Sequence, residues 1–126
     1  MTFERLNLNP KNRKTSDCVI RAISYAFGQS WEDTFQDLCK IGLELKSMPN
    51  DKLVYSAYLA DQEWAKQKMP RFADNSRYTI KEFLAENPQG TFILSIANHL
   101  TVAKDGVLVD TWNCSHKSVG NYWTNN

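Results

Sequence analysis

The apolar positions along the chain change their period once, a little past residue 87. From Cys18 onward Val19, Ile20, Ile23, Ala26 and Phe27 recur at helical spacing, with Thr15, Ser16 and Asp17 as N-cap candidates before them and Gly28 as a stop behind. This predicts a short helix beginning at or near Cys18. Ser30 with Asp33 approximates a capping box, and Trp31, Phe35, Leu38, Cys39 and Gly42 continue one face of a second helix, which Pro49 ends or follows. Asn50 is placed to cap a third helix, with Leu53, Val54, Ala57, Tyr58, Ala60 and Trp64 as its apolar face and Pro70 beyond it. Residues 71–78 read as a polar connection. Thr79 with Glu82 makes a better capping box, opening a short helix through Ile80, Phe83 and Leu84 that ends at Asn87 and Pro88.

After Gly90 the pattern is that of strands. Thr91 to Ile96 is one β-prone run and His99 to Ala103 another; Asp105-Gly106 is a hairpin signal joining the second run to Val107 through Trp112. A last strand is expected within Val119 to Trp123. The expected fold class is α+β, a single domain over residues 1–126: a helical part at about 15–87 packed on a small antiparallel sheet at about 90–124.

Charge and cysteine content narrow the function classes. Fifteen basic and fourteen acidic residues leave a formal net charge of +1, which removes the general electrostatic case for a nucleic-acid or acidic-membrane binder. The segment Met1 to Lys14 has no apolar core of the kind a secretory signal needs, and no apolar run reaches the length of a membrane span. Three cysteines, Cys18, Cys39 and Cys114, are too few and too odd for a stapled secreted domain, so reduced thiols and a cytoplasmic location are expected. With His99 and His116 these residues contain no close cysteine pair, and only Cys114 and His116 are near neighbours, so the spacing does not argue for zinc.

One set of residues can carry chemistry. A nucleophilic thiol needs exposure and a lowered pKa, and a helix start offers both through unpaired N–H groups and the helix dipole. Cys18 stands there. On that segment alone, a small buried hydrophobe on the inner helix face is the simpler reading. Lys11, Arg13 and Lys14 lie just upstream and read as a solvated loop. His99 opens a strand and Asp110 lies on the partner strand. If the Asp105-Gly106 loop has two residues, Lys104 faces Val107, Ala103 faces Leu108 and Thr101 faces Asp110. His99 and Asp110 then lie diagonally on one face, at roughly 7 Å or less between Cβ atoms. That suits a His–carboxylate hydrogen bond; each residue alone reads equally as structural. His116 competes as a base but lies in a polar, irregular stretch. Cys39 and Cys114 read as structural.

In order and context these residues resemble the papain-like cysteine peptidase superfamily, which also includes cell-wall amidases, bacteriocin-processing peptidases and transglutaminases. The resemblance rests on Thr-Ser-Asp-Cys18 opening a helix, Asn-His99-Leu-Thr-Val at a strand start, and Asp110-Thr-Trp112 on the next strand. The blocks Asp-Cys-Val-Ile-Arg-Ala-Ile and Gly-Thr-Phe-Ile-Leu-Ser-Ile-Ala-Asn-His-Leu-Thr-Val-Ala-Lys-Asp-Gly-Val-Leu-Val-Asp-Thr-Trp-Asn are also similar to small uncharacterised proteins of bacterial and phage genomes. The resemblance implies a thiol hydrolase or acyl transferase acting on a peptide, isopeptide or amide bond, with Cys18, His99 and Asp110 as the triad. It implies Trp112 as a shield over the His–Asp pair, and Asn12 in the place of an oxyanion-hole Gln that lies about six residues before the cysteine. The expected partner is a peptide or protein substrate, without nucleic acid, membrane, metal or organic cofactor. The rival from another class is an inactive binding protein that keeps this shape, a phage or mobile-element factor docking on a host protein through aromatics such as Tyr55, Tyr58 or Trp123 where these are exposed, although helical spacing makes most of them core.

Overall fold

The computed structural model describes residues 1–125. Four helices, α1 (Cys18–Phe27), α2 (Trp31–Leu45), α3 (Lys52–Asp61) and α4 (Ile80–Glu86), accompany six strands: β1 (Thr2–Arg5), β2 (Ala65–Lys68), β3 (Thr91–Ile96), β4 (His99–Lys104), β5 (Val107–Asp110) and β6 (Asn121–Thr124). The strands form one sheet in the order β1-β5-β4-β3-β6-β2. The fold class is α+β, as the change of period predicts.

The punctuation explains most element boundaries. Gly28 ends α1 in the left-handed region (φ 64°), where its N–H reaches back to the last turn. Ser30 caps α2 by accepting from the Asp33 N–H, and Thr79 with Glu82 closes a reciprocal capping box on α4. The hairpin turns at Asp105 and Gly106, both with positive φ, and pairs Lys104 with Val107, Ala103 with Leu108 and Val102 with Val109. This is the register expected of a two-residue loop.

The sheet departs from the expected small antiparallel one in two ways. Thr2–Arg5, in the polar N-terminal segment, pairs parallel to β5 as an edge strand, so the sheet is mixed. Four residues with one half-buried side chain show little alternation, and such a strand forms because β5 offers its free edge. The third helix also stops earlier than expected. It is preceded by Asp51 rather than Asn50 and ends at Asp61; Glu63 takes a positive φ, Trp64 drops into the core, and Ala65–Lys68 pairs with β6 as the opposite edge strand. Leu53 and Ala60 therefore point outward, while Tyr55 and Leu59 join Val54 and Tyr58 inside.

Both faces of the sheet are covered. Ile20 and Ile23 of α1, Leu38 of α2 and Leu59 of α3 pack with Ile93, Val102, Val109 and Trp123 on one face. Ile80, Phe83 and Leu84 of α4 pack with Phe92, Leu94, Ala103 and Leu108 on the other. The continuous apolar run Phe92-Ile93-Leu94 is what a strand buried on both sides requires. Tyr55, Tyr58 and Trp123, the aromatics expected as docking anchors, are at most 7% exposed. Helical spacing turns Tyr55 and Tyr58 of α3 inward, and Trp123 of β6 joins the same cluster, with Tyr55 edge-on to Trp123 at 5.7 Å between centroids.

Candidate active site

The site forms where the tip of α1 meets the start of β4. Asp17 occupies the N-cap position of α1, yet its carboxylate makes no capping hydrogen bond. It instead accepts from Asn9 Nδ2 at 3.1 Å, Arg21 Nε at 2.8 Å and Trp31 Nε1 at 3.0 Å. No hydrogen bond from the described residues reaches the backbone N–H groups of Cys18, Val19 and Ile20. The helix tip thus presents three free donors and the positive end of its dipole around the half-buried Cys18 thiol.

His99 is the first residue of β4, at the rim of the sheet, and its side chain is 13% exposed. Its Nε2 lies 2.7 Å from Oδ2 of Asp110, which is almost wholly buried. The diagonal placement expected from the hairpin register therefore brings this pair together. With Nε2 held, Nδ1 is the nitrogen left to exchange a proton with Cys18. The Cys18 thiol and the His99 ring interact directly, each shifting the other's ionisation.

The electrostatics favour an ion pair. Burial opposes ionisation of Cys18, but the His99 contact, the Leu100 backbone N–H and the nearby charges of His99 and Arg21 outweigh it and hold the thiol below its ordinary value. Burial also opposes a charged His99; the hydrogen bond to Asp110, the Cys18 contact and the charges of both partners raise it to about 9. Asp110 is held at about 2 against its burial, chiefly by His99. Its other oxygen, Oδ1, accepts from the Thr111 N–H at 2.7 Å and from Arg21 Nη1 at 3.1 Å. Arg21 consequently bridges Asp17 and Asp110, tying the helix tip to the end of β5. The Thr101 hydroxyl is buried beside the same carboxylate without closing a well-formed hydrogen bond to it.

Trp112 lies over the imidazole, with ring centroids 5.3 Å apart, and is itself 36% exposed. Asn12, by contrast, sits on the exposed loop before α1 with φ 53° and lines a groove whose walls do not include Cys18. The amide expected at an oxyanion hole is therefore not brought to the thiol, because the chain turns outward between Asn9 and Asn12. His116 is exposed and Cys39 half-buried.

Three features of the site escape a reading of the sequence. Arg21 had a signal, its i,i+4 spacing from Asp17. Trp31 had none, since its indole N–H reaches Asp17 only through the α1–α2 turn. Cys114, fully buried, sets its sulfur 3.8 Å from Asp110 Oδ2. His99, Asp110 and Cys114 converge with ligand atoms within 4.8 Å of one another. The donor set does not suit a metal ion: the His99–Asp110 distance is that of a shared proton, Arg21 already neutralises the carboxylate, and burial with the adjacent Asp110 charge pushes the Cys114 thiol up to about 12, far from thiolate.

Comparison with known proteins gives no relative: no family model, curated protein or solved structure matches the chain. Among the described residues no helix is long and apolar enough to cross a membrane.

Proposed function

We propose that this protein is a papain-like thiol hydrolase or acyl transferase acting on a peptide, isopeptide or amide bond, in the cytoplasm. The observation that carries this reading is the convergence at Cys18: a thiol at a helix tip with unpaired N–H groups, facing an imidazole whose far nitrogen is held at 2.7 Å by a buried carboxylate.

In this reading the Cys18 thiolate attacks the carbonyl carbon, and the negative charge moves to the carbonyl oxygen, met by the free N–H groups of the helix tip. Imidazolium His99 gives its proton to the leaving amine as the C–N bond breaks, leaving an acyl thioester. Neutral His99 then takes a proton from water or an acceptor amine, which attacks the thioester and releases the Cys18 thiolate and a protonated His99. Asp110 keeps Nε2 protonated throughout, and Trp112 limits water at the pair. These steps require no metal or organic cofactor.

Brief treatment with limiting iodoacetamide at several pH values tests the proposal. Selective alkylation of Cys18 with an apparent pKa well below that of a free thiol is expected, lost in Cys18→Ala and strongly slowed in His99→Ala, with Cys114 unlabelled until unfolding. An inert Cys18, or turnover that persists in either variant, would defeat it. An inert Cys18 would favour the second reading, a binding protein without turnover, for which the exposed Leu43, Met48 and Leu53 around the α2–α3 turn are the supporting observation.

A further inference from the structure

The end of β1 and the loop before α1 border an open groove of about 970 Å³. Its cations are Arg5, Arg13, Lys14 and Arg21, and Asp17 is its one acidic wall. Arg21 and Asp17 neutralise each other within the bridge described above. Arg5, Arg13 and Lys14 form no ion pair with any described residue. Arg5 uses a single N–H, donated to the Thr111 carbonyl at 2.6 Å, which fixes its guanidinium at the groove wall and leaves its remaining donors free. A chain with a formal net charge of only +1 thus gathers three unneutralised cations along one concave surface. Near-neutral composition conceals this field, which is local and set by folding.

The position of the groove gives it meaning. Arg21 on its wall lies 3.1 Å from Asp110, so the groove ends at the charge bridge behind the triad; Cys18 is not among its walls, and a chain lying in it approaches the candidate active site from the Arg21 side. No aromatic ring lines it, so it lacks the stacking platforms that single-stranded nucleic acid uses, whereas exposed Leu6 and the surrounding amides suit a peptide. We infer that the groove binds an acidic stretch of the peptide substrate, its carboxylates meeting Arg5, Arg13 and Lys14. This rests on the thiol-enzyme reading of Cys18 and assigns that enzyme a substrate class.

Binding is measured on the full chain carrying Cys18→Ala, which cannot react, by fluorescence anisotropy of fluorescein-labelled hexaglutamate against hexaglutamine. Hexaglutamate is expected to bind about tenfold tighter at low salt and to weaken toward roughly 0.2 M salt, where surface charges are screened. Arg13→Gln with Lys14→Gln is expected to weaken it by about fivefold, in line with two exposed charge contacts, while the same change at Lys40 and Lys104 leaves it as it was. Equal affinity for the two peptides, or indifference to Arg13→Gln and Lys14→Gln, overturns the inference. So does displacement of hexaglutamate by an oligothymidylate or inorganic phosphate at a lower concentration than unlabelled hexaglutamate needs. Loss of this binding with Cys18 still selectively alkylated in the native chain would refute the groove alone. Hexaglutamate bound beside an inert Cys18 would refute the substrate assignment together with the catalytic reading.

Discussion

Replacing Asp110 with Asn tests how the carboxylate acts, because the surrounding donors decide which way the amide must point. Oδ1 of Asp110 receives two N–H groups, from Thr111 and Arg21, whereas Oδ2 faces His99 Nε2. The oxygen of an asparagine is therefore held at the Oδ1 position and its NH₂ group is turned toward the ring. Two donors cannot share that contact, so Nε2 must give up its proton and the neutral ring becomes the Nδ1–H tautomer, with its N–H aimed at Cys18. Such a ring cannot accept a proton at the nitrogen facing the thiol. Where the same isosteric change traps the wrong tautomer in a serine triad, turnover falls on the order of 10⁴-fold.

The thiol itself should respond more modestly. His99 is raised from 6.5 to about 9, nominally about 3 kcal/mol shared between Asp110 and Cys18. Assigning roughly half to Asp110 and allowing for solvent at the rim leaves about 1–2 kcal/mol, or near tenfold in the thiolate–imidazolium population. Iodoacetamide rates measured from about pH 5 to pH 9 should show the Asp110→Asn profile moved to higher pH, with roughly a tenfold loss near neutrality. Nitrogen-15 spectra of the labelled ring should show the proton on Nδ1. A profile within twofold of the native one, with Nε2 still protonated, would refute this account of the carboxylate.

Arg21→Gln leaves Asp17 and Asp110, side chains 4% and 2% exposed, without their shared cation, and should cost about 3 kcal/mol, read as a fall in the urea midpoint. Asp110 also predicts an acid limb. Its folded value of about 2 lies below its ordinary 3.8, so its contribution is complete above about pH 4 and is lost as pH falls toward 2. After discounting for screening this amounts to about 1–2 kcal/mol, and urea midpoints of Asp110→Asn should fall less steeply across that window than those of the native protein.

The residues that placed His99 beside Asp110 were legible because a two-residue turn leaves little freedom of register. Asp105-Gly106 fixed the pairing of Val102 with Val109, and alternation did the rest. The capping box at Thr79 was legible for a similar reason, since both partners lie within one turn. What could not be read is what depends on contacts across the fold. β1 owes its pairing to the free edge of β5, and β2 to that of β6, not to any pattern of their own. Asn12 illustrates the same limit: six residues before a cysteine is a spacing along the chain, and the loop's outward turn decides where its amide goes. The full burial of Cys114 beside Asp110 likewise follows from the path of the chain after β5.

Asp17 shows how the parts of the site depend on one another. An aspartate at an N-cap ordinarily accepts from the first helical N–H groups, which would place a negative charge at the tip of α1 and consume the donors there. Here Asn9, Arg21 and Trp31 occupy the carboxylate, so those N–H groups remain free beside Cys18 and the nearest stable anion is neutralised. The Arg21 that neutralises it continues to Asp110 and holds the oxygen that orients the carboxylate toward His99. One guanidinium thereby clears space for negative charge at the helix tip and fixes the base that would generate it. Forgoing a cap worth about 1 kcal/mol is a local loss of helix stability that a purely structural helix start would have no reason to accept.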